Sequence, residues 1–318
     1  IAVQSYQKRA YYVLDWVADI ARSAKRRMMV RLIKGAYWDS EIKKAQMLGL
    51  KEYPVFTRKA FTDVSFQACA KKILTMTYAI YPQFATHNSY SVAMILKMVG
   101  DYQDFEFQCL HGMGSELYNH IVSAEEFGIP CRIYAPVGSH EDLLPYLVRR
   151  LLENGANSSF VNRIVDDKAP IDSLVEDPLQ TAQQMLSKIN QNIPLPNAIF
   201  LPERKNSEGI DLTDRKTLKE MQDYFASHAL TDWSAYPIVK GHTPTKEGAV
   251  SVCSPQNHEL VIGTVINACV KEVDTALASA EKMFSVWGKT PVKERAAIIE
   301  QFADLLEENM LDLLALAC

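Results

Sequence analysis

These 318 residues are short of several features, and each shortage narrows what the chain can do. Charge of one sign is missing: 34 Lys+Arg stand against 38 Asp+Glu, net −4, so there is no basic field to attract nucleic acid. No apolar run approaches the roughly 20 residues that a membrane-spanning helix needs. The six cysteines (Cys69, Cys109, Cys131, Cys253, Cys269 and Cys318) are scattered without a C-x-x-C pair. That spacing argues against a zinc site or a disulfide framework and for reduced thiols in a cytoplasmic setting. No G-x-G-x-x-G, Walker P-loop, G-x-S-x-G or H-E-x-x-H occurs. The seven histidines lack metal-ligand spacing, so no metal is expected. Internal repeats and signal-peptide patterning are also missing. The first residue is Ile1, and no Gly or Pro stop precedes Cys318 in the helical run through Leu305, Leu306, Met310 and Leu314. Together these ends suggest an excerpt of a longer chain.

What remains is an ordinary globular composition, 48% hydrophobic and 23% charged, long enough for about two domains. Up to about residue 165, short apolar runs alternate with helical patterns. Tyr12, Val13, Trp16, Val17 and Ile20 recur at three- and four-residue steps and predict a core-facing helix over residues 6–24. Apolar runs follow at 28–33, 80–85, 105–110 and 131–135, with helical patterns at 63–74, 91–99 and 115–127 between them. Buried runs alternating with helices predict βαβ units and a parallel sheet.

Each run ends in polar or glycine-bearing residues, and ligands of α/β sheets and barrels bind at the carboxyl ends of strands. The candidate residues are therefore Gln4, Arg31 to Trp38, Thr86 to Asn88, Gln108 to His111 and Tyr134. Arg31 lies in an otherwise apolar run and demands a polar partner. Tyr37 and Trp38 either pack in the core or cover a planar ligand. Cys109 reads as core rather than nucleophile, and His111-Gly112-Met113-Gly114 as a turn. Strand ends spaced irregularly around the roughly 31 residues of a barrel's strand–helix unit suggest five strands of eight.

A helix is predicted over 141–154, capped by Ser139 and Asp142 and followed by Gly155. Leu143, Leu144, Leu147, Val148, Leu151 and Leu152 form its apolar face, while Tyr146, Arg149, Arg150 and Glu153 share an arc of about 100° opposite. Two readings stand. The arc is a solvated face whose Arg149–Glu153 pair contributes a few tenths of a kcal/mol, or it is a double guanidinium clamp for a carboxylate. From about 166 to 237, prolines 170, 178, 194, 196 and 202 and polar tracts predict an exposed connector with one or two helices, such as 179–190. From 238 onward a hairpin (249–253 with 260–266) and two long amphipathic helices are expected.

The segments VRLIKGAYWDSE (30–41), YPQFATHN (81–88), FQCLHGMG (107–114) and PCRIYAPVGSHEDLLPYLVRRLLENGANSSFVNRI (130–164) resemble the proline dehydrogenase domain of the bifunctional proline utilization A family. SPQNHELVIGTV (254–265) and VDTALASAEKMFSVWGKTPVKERAAIIEQFADLLEEN (273–309) resemble the start of an aldehyde dehydrogenase domain. The resemblance implies an α/β fold in three parts. Residues 1–165 are the C-terminal part of a TIM-like (βα)8 barrel holding non-covalent FAD. Residues 166–237 are a connector, and 238–318 the N-terminal hairpin and helices of an aldehyde dehydrogenase domain.

Gln4, Arg31, Lys34, Gly35, Ala36, Trp38, Thr57, Lys59, Thr86, His87, Asn88, Gln108, Cys109, Leu110, Glu153 and Ser158 match family positions near the flavin. Arg149 and Arg150 match the pair that binds the carboxylate of L-proline, and Tyr37 and Tyr134 match side chains walling its ring, so the resemblance favours the clamp. Arg31 would help to stabilise negative charge on the reduced flavin. The family's active-site lysine and an aspartate lie on earlier barrel strands, and its aldehyde dehydrogenase cysteine, acidic base and NAD-binding segments lie beyond residue 318. Cys253, Cys269 and Cys318 do not match that cysteine's motif.

The implied activity is oxidation of L-proline to pyrroline-5-carboxylate, in a parent that also oxidises glutamate γ-semialdehyde with NAD; the excerpt alone is expected to be inactive. The implied parent is a homo-oligomer, cytoplasmic or peripheral at the bacterial inner membrane, with a quinone acceptor and no DNA-binding segment here. Against this stand a non-catalytic binding or scaffold fragment, and another flavin barrel such as a methylenetetrahydrofolate-reductase-like enzyme.

Overall fold

A computed structural model describes residues 1–155, 176–227, 233–240 and 248–317; side chains at 145 and 149–155 lie outside the description. The chain divides into two compact units, Ile1–Ile210 and Asp211–Cys318.

In the first unit, β1 (Ala2–Gln4), β2 (Met28–Ile33), β3 (Ile80–Ala85), β4 (Glu106–Leu110) and β5 (Cys131–Tyr134) pair in sequence order, every pair parallel. The connections carry α1 (Ala10–Ser23), α2 (Trp38–Met47) with α3 (Lys59–Leu74), α4 (Ser89–Val99) and α5 (Ser115–Val122), and α6 (His140–Gly155) follows β5. Parallel neighbours taken in order, each joined through helix, are the winding of a (βα)8 barrel. Side chains alternate along each strand. Val30, Leu32, Phe84, Phe107 and Cys109 join the buried core with Leu14, Val17, Phe66, Ile73, Ile95 and Tyr118 of the helices. Phe84, Phe105 and Phe107 pack ring against ring at 5.6–6.3 Å between centroids. The alternate positions, Arg31, Gln83, Glu106, Gln108, Arg132 and Tyr134, share the opposite face.

Two helices differ from the sequence expectation. In α1 the buried residues are Ala10, Leu14, Val17, Ala18 and Ala21, whereas Tyr12 is 71% and Trp16 56% exposed. Three alanines bring the helix close to the strands and leave no room for the aromatic rings; the predicted face is rotated, with Val17 common to both. On α6, Ser139 caps as expected, its Oγ accepting from Asp142 N at 3.3 Å. Its apolar residues Leu144, Leu147 and Val148 are nevertheless exposed, and Gly155 is the last helical residue rather than the residue after it.

Residues 176–210, expected as exposed connector, pack along the first unit. Helix α7 is Pro178–Gln184, shorter than the predicted 179–190, and Asp177 Oδ1 caps it at Leu179 N, 3.0 Å. Tyr53 Oη donates to Pro194 O (2.7 Å), Arg58 Nε to Ile189 O (3.1 Å), and Asn206 Nδ2 to Gln46 O (2.9 Å) and Pro196 O (3.0 Å). Gly209 N donates to Gly49 O at 3.0 Å, a backbone approach so close that a Cβ on Gly209 would lie 1.9 Å from Leu48 O.

The second unit contains α8 (Arg215–Ser227), the strands β6 (Trp233–Ala235), β7 (Val250–Cys253) and β8 (Val261–Val265), and α9 (Val270–Trp287), α10 (Val292–Glu308) and α11 (Met310–Ala317). The expected hairpin is β7 antiparallel to β8; β6, not foreseen, pairs parallel on the other edge of β8. The final helical run breaks at Asn309, where the side-chain Nδ2 donates to Leu305 O. Among the described residues of this unit only Gly263 is buried.

Candidate active site

The polar face of the five-stranded sheet gathers most of the candidate residues. Arg31, on β2, is half-buried; its Nε donates to Gln108 Oε1 at 2.5 Å, and its Cζ lies 4.6 Å from the centroid of the Tyr134 ring. Among the described residues no carboxylate pairs with Arg31: a neutral amide oxygen and an aromatic face meet its charge. Gln108 is buried and its Nε2 donates to Glu106 Oε1 at 2.7 Å.

The β2–α2 loop carries the next group. Gly35 has φ +134°, and a Cβ there would lie 2.6 Å from the Tyr6 ring, so the loop passes over that ring only as glycine. Gln4 Oε1 accepts from Ala36 N at 3.3 Å, tying the end of β1 to the loop. Tyr37 precedes α2 and is exposed, while Trp38 Nε1 donates to Phe56 O at 2.9 Å and its ring packs on the small core of Tyr6, Ile42 and Tyr53. Thr57 Oγ1 accepts from Asn190 N at 3.0 Å.

Lys34 and Lys59 converge on one carboxylate. Lys34 Nζ is 2.6 Å from Asp63 Oδ1, and Lys59 Nζ is 2.7 Å from Asp63 Oδ2. Burial pushes the Lys34 ammonium below its ordinary range; Asp63 opposes that shift and Lys59 adds to it. Burial would raise the Asp63 carboxyl, but the two lysines outweigh it and hold it below the usual carboxylate range. Two cations on one anion leave a surplus positive charge, with Lys59 the more exposed.

At the ends of β3 and β4, Thr86 Oγ1 accepts from Asn88 N (3.2 Å), and the Tyr118 hydroxyl donates to Thr86 O. Asn88 Oδ1 caps α4 at Ser91 N, 2.8 Å. His87 Nε2 accepts from Leu110 N at 3.2 Å, which places the proton of the neutral ring on Nδ1. Gly114 has a left-handed backbone, and a Cβ there would lie 3.0 Å from His87, so the 111–114 segment is the expected turn. Cys109 faces the helix-side core, its Sγ 3.7 Å from Cys131 Sγ; its thiol points away from the polar face, as strand alternation requires.

Arg149, Arg150 and Glu153 lie on α6, with side chains outside the described residues, and Ser158 lies outside them altogether. Sequence reasoning passed over four polar residues at this face and loop: Asp63, Gln83, Glu106 and Arg132. Gln83 and Glu106 are buried and hydrogen-bonded to each other at 2.7 Å, and Arg132 clamps Glu106 at 2.8 and 2.9 Å. Gln83, Glu106 and Arg132 did carry a signal, each polar within an apolar run, in the registers Arg31–Gln83, Gln83–Glu106 and Gln108–Arg132; Asp63 stands four residues after Lys59 on α3.

A parallel sheet wound in barrel order, with cations and amides on one face and at its carboxyl ends, defines a (βα)-barrel protein with a ligand site in the usual place. The proline dehydrogenase family model matches residues 1–163, and the aldehyde dehydrogenase family model matches residues 242–318. The chain belongs to the proline dehydrogenase family. Among curated proteins it is 47% identical over 321 residues to a bifunctional protein PutA of Klebsiella aerogenes, covering 97% of this chain and 24% of that protein. It is 46% identical to the PutA of Escherichia coli K12, over 99% of this chain and 25% of the relative. A crystal structure of a bifunctional proline utilization A protein superposes with a TM-score of 0.74 at 42% identity, covering 99% of this chain and 29% of that one. The chain thus spans about a quarter of the length of the curated relatives it matches most fully.

Proposed function

We propose that this chain carries part of an FAD-dependent proline dehydrogenase, oxidising L-proline to pyrroline-5-carboxylate in a longer protein that also oxidises glutamate γ-semialdehyde with NAD. The reading divides the chain at residues 165 and 237 into barrel, connector and the start of the aldehyde dehydrogenase domain. One observation carries it: Arg31 stands on the polar face with its charge met, among the described residues, by Gln108 Oε1 and the Tyr134 ring alone. An anionic planar group completes such a site better than another neutral one. The surplus positive charge of Lys34, Lys59 and Asp63 suits the phosphates of the same cofactor.

When bound, FAD supplies the two-electron acceptor for oxidation of the carbon–nitrogen bond. Arg31 lowers the energy of negative charge at the flavin ring, and Gln108 holds the Arg31 guanidinium in place. Gln4, Ala36, Trp38, Thr57, Thr86, His87, Asn88 and Leu110 would line the rest of the cofactor site, as would Glu153 and Ser158; Cys109 would contribute its backbone. Arg149 and Arg150 receive the substrate carboxylate as paired forks, and Tyr37 and Tyr134 close over the ring, holding it in a near-attack pose. The reading carries with it a cytoplasmic setting and a quinone as the final acceptor.

Replacing Arg149 and Arg150 together by Met in the full-length protein tests it. Two lost charge-assisted hydrogen bonds raise KM for proline about 100-fold or more while flavin remains bound. Unchanged proline kinetics would overturn the clamp. Wild-type protein that turns over methylenetetrahydrofolate and leaves proline untouched would overturn the reaction.

A further inference from the structure

Glu106 is a buried carboxylate that no step of the proposed reaction uses. Groups from three strands converge on it. Gln83 Nε2 (β3) and Gln108 Nε2 (β4) each donate to its Oε1 at 2.7 Å. From β5, Arg132 Nε donates to Oε1 at 2.8 Å and a terminal Arg132 nitrogen to Oε2 at 2.9 Å. Burial would raise the Glu106 carboxyl, but the hydrogen bonds from Arg132, Gln108 and Gln83 outweigh it and hold it below the usual range.

An ionised carboxylate only accepts, so both amides must present their NH2 groups to it and turn their carbonyl oxygens away. For Gln108 that orientation aims Oε1 at Arg31 Nε, 2.5 Å away, with the guanidinium over the Tyr134 ring. The reversed amide would set NH2 against N–H, two donors face to face, and would expel Arg31. Balancing the Glu106 charge requires Arg132 alone; the two neutral amides are there to be oriented.

We propose that Glu106 is a positioning residue: it locks the Gln108 amide in one orientation and thereby holds the Arg31 guanidinium on the Tyr134 ring, aimed at the flavin. The last part rests on the reading of Arg31 given above. In Glu106→Leu, which carries no acceptor, nothing enforces the amide orientation and Arg31 leaves the Tyr134 ring.

The test uses the full-length holoenzyme. A crystal structure of Glu106→Leu is expected to show Arg31 displaced from Tyr134. The flavin midpoint potential falls, and flavin reduction by proline in a single turnover slows about tenfold to a hundredfold, while KM for proline changes by less than about twofold. In an Arg31→Met background Glu106→Leu lowers the potential no further. Arg31 still stacked on Tyr134 in the variant, or an undiminished effect of Glu106→Leu without Arg31, overturns the proposal. Gln108→Leu leaves the Glu106–Arg132 clamp and removes only the link; Arg31 retained on Tyr134 there overturns it equally, even if Glu106→Leu fails to fold. An unmoved potential in Arg31→Met overturns the reading of Arg31 as the flavin-facing cation, while the Arg31–Tyr134 geometry in Glu106→Leu still decides the positioning role.

Discussion

Asp63 anchors two lysines, and its loss leaves Lys34 buried without its counter-charge. Asp63→Asn is expected to destabilise the protein by about 3–5 kcal/mol, the cost of breaking a buried pair from one side, read from the urea midpoint. The pH dependence has a definite sign. The folded-state pKa of Asp63 lies below its ordinary value. The stability it contributes is therefore complete above the unfolded value of about 3.9 and is lost as pH falls through the folded value. Urea midpoints of wild type should drop on the acid side, and Asp63→Asn should flatten that drop. Gly35 is a second pressure point: Gly35→Ala combines a positive φ with a Cβ 2.6 Å from the Tyr6 ring. A loss of about 2–4 kcal/mol is expected in thermal unfolding. Arg31 was legible in the sequence because a guanidinium in an apolar strand demands a partner; which partner it takes was not. Gln108 lies 77 positions away and meets it only across three strands.

The elements show where periodicity is informative and where it misleads. Strands β2 and β3 fall on the predicted runs, since a buried parallel strand reads as a near-continuous apolar sequence, here interrupted only by Arg31 in β2 and Gln83 in β3. Helix α1 was expected in the right place with the wrong face, because aromatic bulk outweighed alanine in the pattern. The buried stripe is set by how closely the helix can approach the sheet. Leu14→Ala is accordingly expected to cost about 2–5 kcal/mol, whereas Trp16→Ser should stay within about 0.5 kcal/mol; chemical denaturation of the two variants separates the faces. Asn88, singled out as a site residue, also caps α4. Asn88→Asp, which keeps a capping oxygen, should leave stability nearly unchanged, while Asn88→Ala should lose about 1 kcal/mol.

Across the whole chain the two units differ in kind. The first holds a continuous core from Val3 to Ile129; the second has long helices whose Leu277, Phe284, Ile299 and Phe302 are exposed. In the 318-residue chain studied alone, amide exchange should be slow in β2, β3 and β4 and fast throughout α9 and α10, because protection follows buried packing. Uniform protection of both units would contradict this. Residues 176–210 remain largely exposed with one α-helix, as composition suggested, while backbone contacts such as Gly49 with Gly209 tie the segment to the first unit, which composition could not show.

By itself the sequence determined the parallel βα winding, the placing of candidate residues at strand ends and the family, since these rest on local periodicity and on contiguous motifs. The tertiary structure alone decided which face of α1 is buried, that Lys34 and Lys59 share Asp63, and that Glu106 organises Gln83, Gln108 and Arg132. The Glu106 pairings depend on register between strands, and a hydrogen bond formed across a sheet leaves no periodic trace in any one strand; Lys34 joins the Lys59–Asp63 pair of α3 only where the β2–α2 loop meets that helix.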